Sequence, residues 1–387
     1  MPVLVMYTNH KFGLSETVTG GTKRFLELLY GFLENGNTVH LFVPVEANIR
    51  HDKNLIIHSI VPFGTRYLPQ GFGLFIRNYR TIKETIAGIY YDAFIAVEVS
   101  FAVQIVLMRI PKIVLMVWQD FVGCRLNNLN NSSIVIREIA SLFLVWAEGT
   151  TIKKSQTIIV QSKYDLDILI QRHPKLENDL KIKTRIVPNN VNPQWITNHK
   201  KKSISYNNDR STTDQLAICF IGNINKLKGL EILLSAAKKL IDQKYSIRLN
   251  VVGDGKQLQS LKKEYDMYSD IIFWGHRNDA IDILRTCKLL VVPSLFDSFP
   301  NTIMEAFFFD IPVIGSNRGG IPDMLKYQEL IFEPTADELE RKIKEIIDCN
   351  LIENYKGLCR KRKEYFTFDW VKEIEKNILT SGKSPVG

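Results

Sequence analysis

The chain has 387 residues, 45% of them hydrophobic and 24% charged, and a formal net charge of +9. This balance excludes a disordered or fibrous chain, and at about 100–200 residues per domain the length calls for two sizeable cores. The charge is uneven: residues 1–200 hold 22 Lys and Arg against 15 Asp and Glu, a net of +7, while the rest hold 28 against 26, a net of +2. A basic half suits nucleic acid, an anionic membrane or a phosphorylated substrate, or simply keeps the protein soluble.

The elements follow in chain order. Val3–Tyr7 reads as a strand, Thr22–Glu34 as a helix, and Thr38–Val43 and Leu55–Ile60 as strands. The start, MPVLVMYTNHKFG, lacks the basic and long apolar regions of a signal peptide. In Gly71–Tyr90, Phe72, Phe75, Ile76, Tyr79, Ile82 and Ile86 recur at helical spacing, with Arg77, Arg80 and Lys83 between them. Such a helix packs its stripe on a core, or lies on an anionic bilayer. Ile95–Trp118 is the most membrane-like stretch, but Glu98, Arg109 and Lys112 interrupt it, so it reads as strand, helix, strand. Strands Ala93–Val97 and Ile113–Trp118 bound it, followed by strand Thr157–Gln161, helix Lys163–Arg172 and strand Thr184–Val187. A polar stretch from Asn192 to Gln215 then breaks the alternation and marks a linker.

Beyond it come strand Leu216–Ile221, helix Leu230–Asp242, strand Ile247–Val252, helix Lys256–Tyr268 and strand Ile271–Trp274. Helix Ala280–Cys287, strand Leu289–Val292, helix Thr302–Phe309 and strand Pro312–Gly315 continue the pattern. A final amphipathic helix, Phe368–Leu379, follows the basic run Arg360–Lys363. Nearly continuous apolar strands alternating with helices imply α/β domains with doubly wound parallel sheets. The boundaries are 1–195, a linker at 196–215, and 216–367. The five cysteines are odd in number and form no CxxC pair, which fits a reducing cytosol and no zinc ribbon. Cys219 and Cys287 lie in apolar stretches and read as core.

Ligands of open parallel sheets bind beyond the carboxyl ends of the strands, which directs attention to the loops there. The block VVPSLFDSFPNTIMEAFFFDIPVIGSNRGGIPDML, residues 291–325, places Asp297, Ser298 and Phe299 in a loop and starts a helix near Pro300. A helix N-terminus there suits phosphate, leaving Glu305 for ribose hydroxyls and Asp297 for the group transferred. The other reading makes Asp297 a helix cap and Glu305 a solvated charge. FIGNINKLKGL, residues 220–230, ends a strand at Gly222 and sets Lys228 before a helix. VVGDG, residues 251–255, resembles the start of a dinucleotide fingerprint but has Leu258 where the third glycine belongs. Phe273–His276 is a strand and turn, and Thr19-Gly20-Gly21-Thr22 precedes a helix.

In this order these segments resemble family-4 retaining glycosyltransferases, of the glycosyl transferases group 1 type and the GT-B fold. Asp297…Glu305 is similar to the family's E-x7-E motif and Gly222…Lys228-Gly229 to its phosphate-binding segment. Gly20-Gly21 is similar to the N-terminal glycine loop, Pro188–Val191 to the segment before the linker, and Gly319–Asp323 to the G-G-x-P-E turn. The resemblance implies two Rossmann-like domains facing a cleft, the final helix (about 368–387) crossing back onto the first. It implies a nucleotide diphosphate sugar donor, UDP-sugar favoured over GDP-sugar, and a glycan or lipid-linked acceptor in cell-surface polysaccharide synthesis. The protein would be cytoplasmic or peripheral on a membrane, with no nucleic acid partner, no cofactor and no metal.

By the same resemblance Lys228 neutralises diphosphate, Glu305 binds ribose and Asp297 lies near the donor sugar. Gly20, Gly21, Gly222, Asn223, Gly253, Ser298 and Phe299 approach the donor; Asn301 and Thr302 meet phosphate, and Gly275 and His276 the nucleobase. Gln119 and Asp120 stand where relatives often carry His-Asp. Asn223 replaces the phosphate-binding arginine and brings no charge, with Lys226 or Arg318 as substitutes. Asp297 is one methylene shorter than the usual Glu, and Pro300 stands where many relatives have glycine. These departures leave two other readings: a nucleotide-sugar-binding subunit without turnover, and a GT-B UDP-sugar epimerase.

Overall fold

Apolar runs covered by helices on both faces form the parallel strands expected of them. The computed structural model describes residues 1–8, 20–44, 49–61, 70–128, 133–191 and 215–380. The linker 196–214, residues 9–19 of the N-terminal glycine loop and the side chains of Phe72, Phe75 and Ile76 lie outside them. The chain divides into two units, Met1–Pro188 with Asp369–Gly387, and Asn189–Phe368.

The first unit holds β1 (Val3–Tyr7), β2 (Thr38–Pro44), β3 (Leu55–Ile60), β4 (Ala93–Val97), β5 (Ile113–Val117), β6 (Thr157–Val160) and β7 (Thr184–Ile186). They make one parallel sheet in the order β3-β2-β1-β4-β5-β6-β7. Its helices are α1 (Gly20–Glu34), α2 (Gln70–Ala87), α3 (Val99–Leu107), α4 (Phe121–Asn128), α5 (Ile134–Lys154), α6 (Lys163–Arg172) and α7 (Glu177–Lys183). Along α2, Ile82 and Ile86 are buried while Arg77, Arg80 and Lys83 are exposed, so the described part of that stripe faces the core.

The second unit holds β8 (Leu216–Ile221), β9 (Ile247–Val252), β10 (Ile271–Gly275), β11 (Leu289–Val292), β12 (Val313–Ser316) and β13 (Ile331–Phe332). Their order is β10-β9-β8-β11-β12-β13, again parallel. The helices are α8 (Leu230–Asp242), α9 (Leu258–Glu264), α10 (Ala280–Arg285), α11 (Asn301–Phe308), α12 (Ile321–Leu325), α13 (Ala336–Asp348) and α14 (Ile352–Tyr365). Asn189–Val191 belong here rather than to the first unit. The Val191 N–H donates to the Phe366 carbonyl at 2.9 Å, and the Asn190 amide to the Phe368 carbonyl at 2.9 Å. In each sheet the order reverses beside its first strand, between β1 and β4 and between β8 and β11. Such a switch point opens a crevice at the carboxyl edge.

The final helix, α15 (Trp370–Leu379), packs against α1. Trp370 is fully buried with the Arg24 guanidinium over its ring at 5.1 Å. Glu375 accepts from the Asn35 and Asn37 amides at 2.6 and 3.0 Å. A side chain at Gly31 would collide with Val371, so the glycine lets the two helices approach.

Candidate donor site and the carboxyl edge of the first unit

In the second unit the loops after β8, β9 and β10 are laced by backbone. The Gly222 N–H donates to the Val252 carbonyl at 3.1 Å, Ile224 to Asp254 at 2.8 Å and Gly253 to Gly275 at 2.9 Å. Gly253 has φ 143°, and a Cβ there would run into the Gly222 carbonyl. The VVGDG glycines therefore close the loops on one another. Asn223 and His276 are exposed on this edge, and Gly275 has open space around its Cα.

The loop after β8 is then fixed to the loop after β11. The Asn225 side chain accepts from the Lys228 N–H at 3.2 Å, closing the turn Lys226–Lys228. Gly229 leaves it at φ 66°, where a Cβ would strike the Pro293 carbonyl. The Leu295 and Phe296 N–H groups donate to the Leu227 carbonyl at 2.8 and 3.2 Å. From the far side, Gly319 (φ 62°) lies so close to the Asp297 backbone that a Cβ would not fit, and the Gly320 N–H donates to the Asp297 carbonyl at 3.0 Å. Two turns thus clamp Asp297, and its carboxylate forms an ion pair with the Lys228 ammonium. Asp297 does not cap the helix. Its side chain is 13% exposed and that of Lys228 30%, so the pair sits at the surface of the crevice.

Helix α11 begins directly after this loop. Pro300 occupies the N-cap and no side chain caps the start. The Ile303 N–H donates to the Pro300 carbonyl at 3.1 Å, and the first-turn N–H groups of Asn301 and Thr302, with the dipole, favour an anion there. Ser298 is buried and its hydroxyl has no hydrogen-bond partner. Phe299 is buried edge-on to Phe366, with ring centroids 5.9 Å apart. The Asn301 side chain accepts from the Asn189 amide at 3.2 Å, and Thr302 and Glu305 are half-buried. Cys219 and Cys287 are buried, as their apolar surroundings imply. A hydrogen bond between them and burial push the Cys219 thiol well above the usual thiol range, and the charge of Glu305 adds to this. Arg318 is taken up elsewhere, bound to Glu333 at 3.0 Å and to the Asn317 carbonyl at 2.7 Å, while Lys226 is exposed. Among the described residues, no group of three or more His, Cys, Asp or Glu side chains is arranged to hold a metal ion.

In the first unit, Gly20 opens α1 and Gly21 has open space around its Cα. The two groups expected after β5 part ways. Gln119 is exposed and its amide donates to the Glu98 carboxylate at 3.2 Å. Asp120 turns inward: it is 8% exposed, pairs with Arg172 at 2.7 Å and accepts from the Gly123 N–H at 3.1 Å. Arg172 also grips the buried Glu148 at 2.9 Å, which meets His173 at 2.8 Å. Asp120 thus anchors α4 and α6 rather than facing a substrate, because its carboxylate is already spent on a buried ion pair.

Glu98, in the sequence only an interruption of an apolar stretch, holds a strained backbone on this edge. It follows β4 with φ 73° and ψ 150°, a region almost reserved for glycine that costs a side-chain residue about 1–3 kcal/mol. Burial raises its carboxyl pKa, partly offset by Arg125 and the Gln119 amide. With its folded pKa above the ordinary glutamate value, the group takes up a proton on folding, and the ionised form costs stability once the pH exceeds both values. Glu98→Gln should therefore melt higher than the wild type at neutral pH. The gain should vanish as the pH falls below the glutamate range, and thermal unfolding followed against pH checks this.

Residues 204–365 match the family model of glycosyl transferases group 1. The O-antigen biosynthesis glycosyltransferase WbnH of Escherichia coli is 27% identical over 43% of this chain and 47% of its own length. The match covers 40%, 42% and 47% of the length of three curated relatives and 57% of a fourth. Sucrose-phosphate synthase of Thermosynechococcus elongatus superposes with a TM-score of 0.75 at 17% identity, covering 99% of this chain and 98% of that one. Anabaena Alr3699/HepE, solved in complex with UDP and glucose, gives 0.66 at 15% identity over 98% and 99%.

Proposed function

From a chain whose second unit is a glycosyl transferases group 1 domain and whose fold is GT-B, we propose a retaining transfer of a sugar from a nucleotide diphosphate sugar to a hydroxyl. The Lys228–Asp297 pair at the β8/β11 switch point, beside the uncapped start of α11, carries this reading. Diphosphate takes the positive helix end and the Lys228 ammonium, whose three N–H donors can hold Asp297 and a phosphate oxygen together. No step is assigned to a metal or other cofactor. Glu305 accepts from the ribose hydroxyls, the Ser298 hydroxyl and the N–H groups of Asn301 and Thr302 serve phosphate, and Gly275 and His276 border the base.

In the transfer, the acceptor oxygen bonds to the anomeric carbon as the bond to the diphosphate oxygen breaks. The acceptor proton passes to that departing oxygen on the same face, and configuration is kept. UDP is favoured among nucleotides because HepE was solved with UDP and glucose. The sugar is then a hexose or N-acetylhexosamine. A surface-polysaccharide acceptor, free or lipid-linked, is favoured by the O-antigen role named for WbnH. Glu305→Ala should weaken UDP binding about tenfold to a hundredfold, the range for a hydrogen bond involving a charged group, as read by calorimetry.

One observation favours a second reading. Asn223 supplies no charge and Arg318 is held by Glu333, which leaves the exposed Lys226 as the one substitute for the arginine that the resemblance places here. A subunit that binds nucleotide sugar without turnover would show UDP-sugar affinity unchanged by Asp297→Ala and no release of UDP with any acceptor tried. An epimerase would instead convert a UDP-sugar with no acceptor present.

A further inference from the structure

Helix α5 has an exposed apolar half that the donor site does not use. Val135, Ile139, Leu142, Phe143 and Trp146 recur at one face of the helix, and they are 49% to 74% exposed. Ile134 and Ile136 are exposed as well and widen that face. The first buried residue of the helix is Ala147. Arg137 and Glu138 are the charged residues before it, so the exposed stretch is apolar over most of its circumference.

The placement of this stretch follows from length. At 21 residues α5 runs about 31 Å, while β5 and β6, which it connects, run about 13–17 Å. Its C-terminal end leads into the start of β6, so its N-terminal half overshoots the carboxyl edge, where Glu98 and Gln119 lie. Residues 133–139 are exposed on every side. A protein partner covers one flank of a helix, whereas a segment standing clear of the body can sink into a headgroup layer to about half its width. Phe143 and Trp146, with ring centroids 5.8 Å apart, sit where this segment rejoins the body, the level an interfacial aromatic takes. Charge agrees. Helix α3 packs against both α2 and α5, so the exposed Arg77, Arg80 and Lys83 of α2 belong to the same helical layer, which stays net basic although Glu84 pairs with Arg80 at 2.7 Å. Arg125 of the adjoining α4 is exposed too.

We propose that the N-terminal half of α5 is a membrane-docking element that lays its apolar face into the interface of an anionic bilayer. No described helix is long and apolar enough to cross a membrane, and docking needs none. The inference deepens the lipid-linked acceptor reading and rests on it only in making the bilayer the source of the acceptor. The full chain should pellet with phosphatidylglycerol-containing vesicles, bind pure phosphatidylcholine vesicles at least about tenfold more weakly, and lose binding as salt rises. Leu142→Glu/Phe143→Glu should reduce vesicle binding at least about tenfold, and Ile139→Glu should reduce it separately. Both should leave the melting temperature and UDP binding unchanged, because these side chains are exposed. Wild-type protein that stays in the supernatant with anionic vesicles overturns the proposal. So does undiminished vesicle binding by the variants, or a dimer in sedimentation velocity that the variants dissolve without any vesicle binding. Vesicle binding without sugar transfer would leave docking standing and count against the transfer reading alone.

Discussion

Lys228→Met should slow sugar transfer about a hundredfold to a thousandfold, the effect of removing one preorganised donor from a developing negative charge. Methionine keeps the length of the side chain and loses the ammonium, so the turn Lys226–Lys228 keeps its backbone bonds to the loop after β11. Asp297 loses its cation in this variant, and a half-buried carboxylate without a partner costs stability of its own. The double variant Lys228→Met/Asp297→Asn, compared with Asp297→Asn alone, separates the two effects. It should recover melting temperature while transfer stays slow. Recovered transfer in the double variant would show that Lys228 serves Asp297 and not the diphosphate.

Trp370→Ala should destabilise the first unit by about 3–5 kcal/mol, the usual cost of removing a large buried aromatic. The loss goes beyond a cavity. Arg24 is itself buried and stacks on the indole, so the truncation exposes its charge to an empty space. Because α15 lies at the chain's end and α1 near its beginning, this contact ties the termini of one unit together. Two unfolding transitions are expected by calorimetry, with the variant lowering one and leaving the second unit's transition in place. A single unshifted transition would contradict the packing described.

The strands were legible because parallel strands buried on both faces leave uninterrupted apolar runs. All twelve expected runs are strands, within about a residue at each end. The thirteenth, Ile331–Phe332, is two residues long and leaves no periodic trace. Lys256–Tyr268 shrinks to α9 (Leu258–Glu264) because its ends fold as turns. Helix α5 is absent from the expected elements since its apolar residues serve two surfaces, an exposed stripe in one half and a buried face in the other. That mixture hides a 3.6-residue period. Near the candidate donor site the order of motifs carried the information, and the structure brings Lys228 and Asp297 together from 69 positions apart.

What the motifs did not carry depends on tertiary pairing or on backbone strain. Asp120 looks like a substrate-facing group until Arg172 is found on it. Arg318 looks available until Glu333 is found beside it. Glu98 gains meaning only from a positive φ that no residue pattern announces.

On the proposed reading, the loops after β8 and β11 bind the diphosphate of a nucleotide. Titration calorimetry of UDP, GDP and ADP into the wild type and Lys228→Met tests it most directly. Saturable binding of a nucleoside diphosphate, UDP foremost, weakened at least about tenfold in the variant, is the predicted result. No heat with any of the three, or equal affinity in wild type and variant, would contradict it.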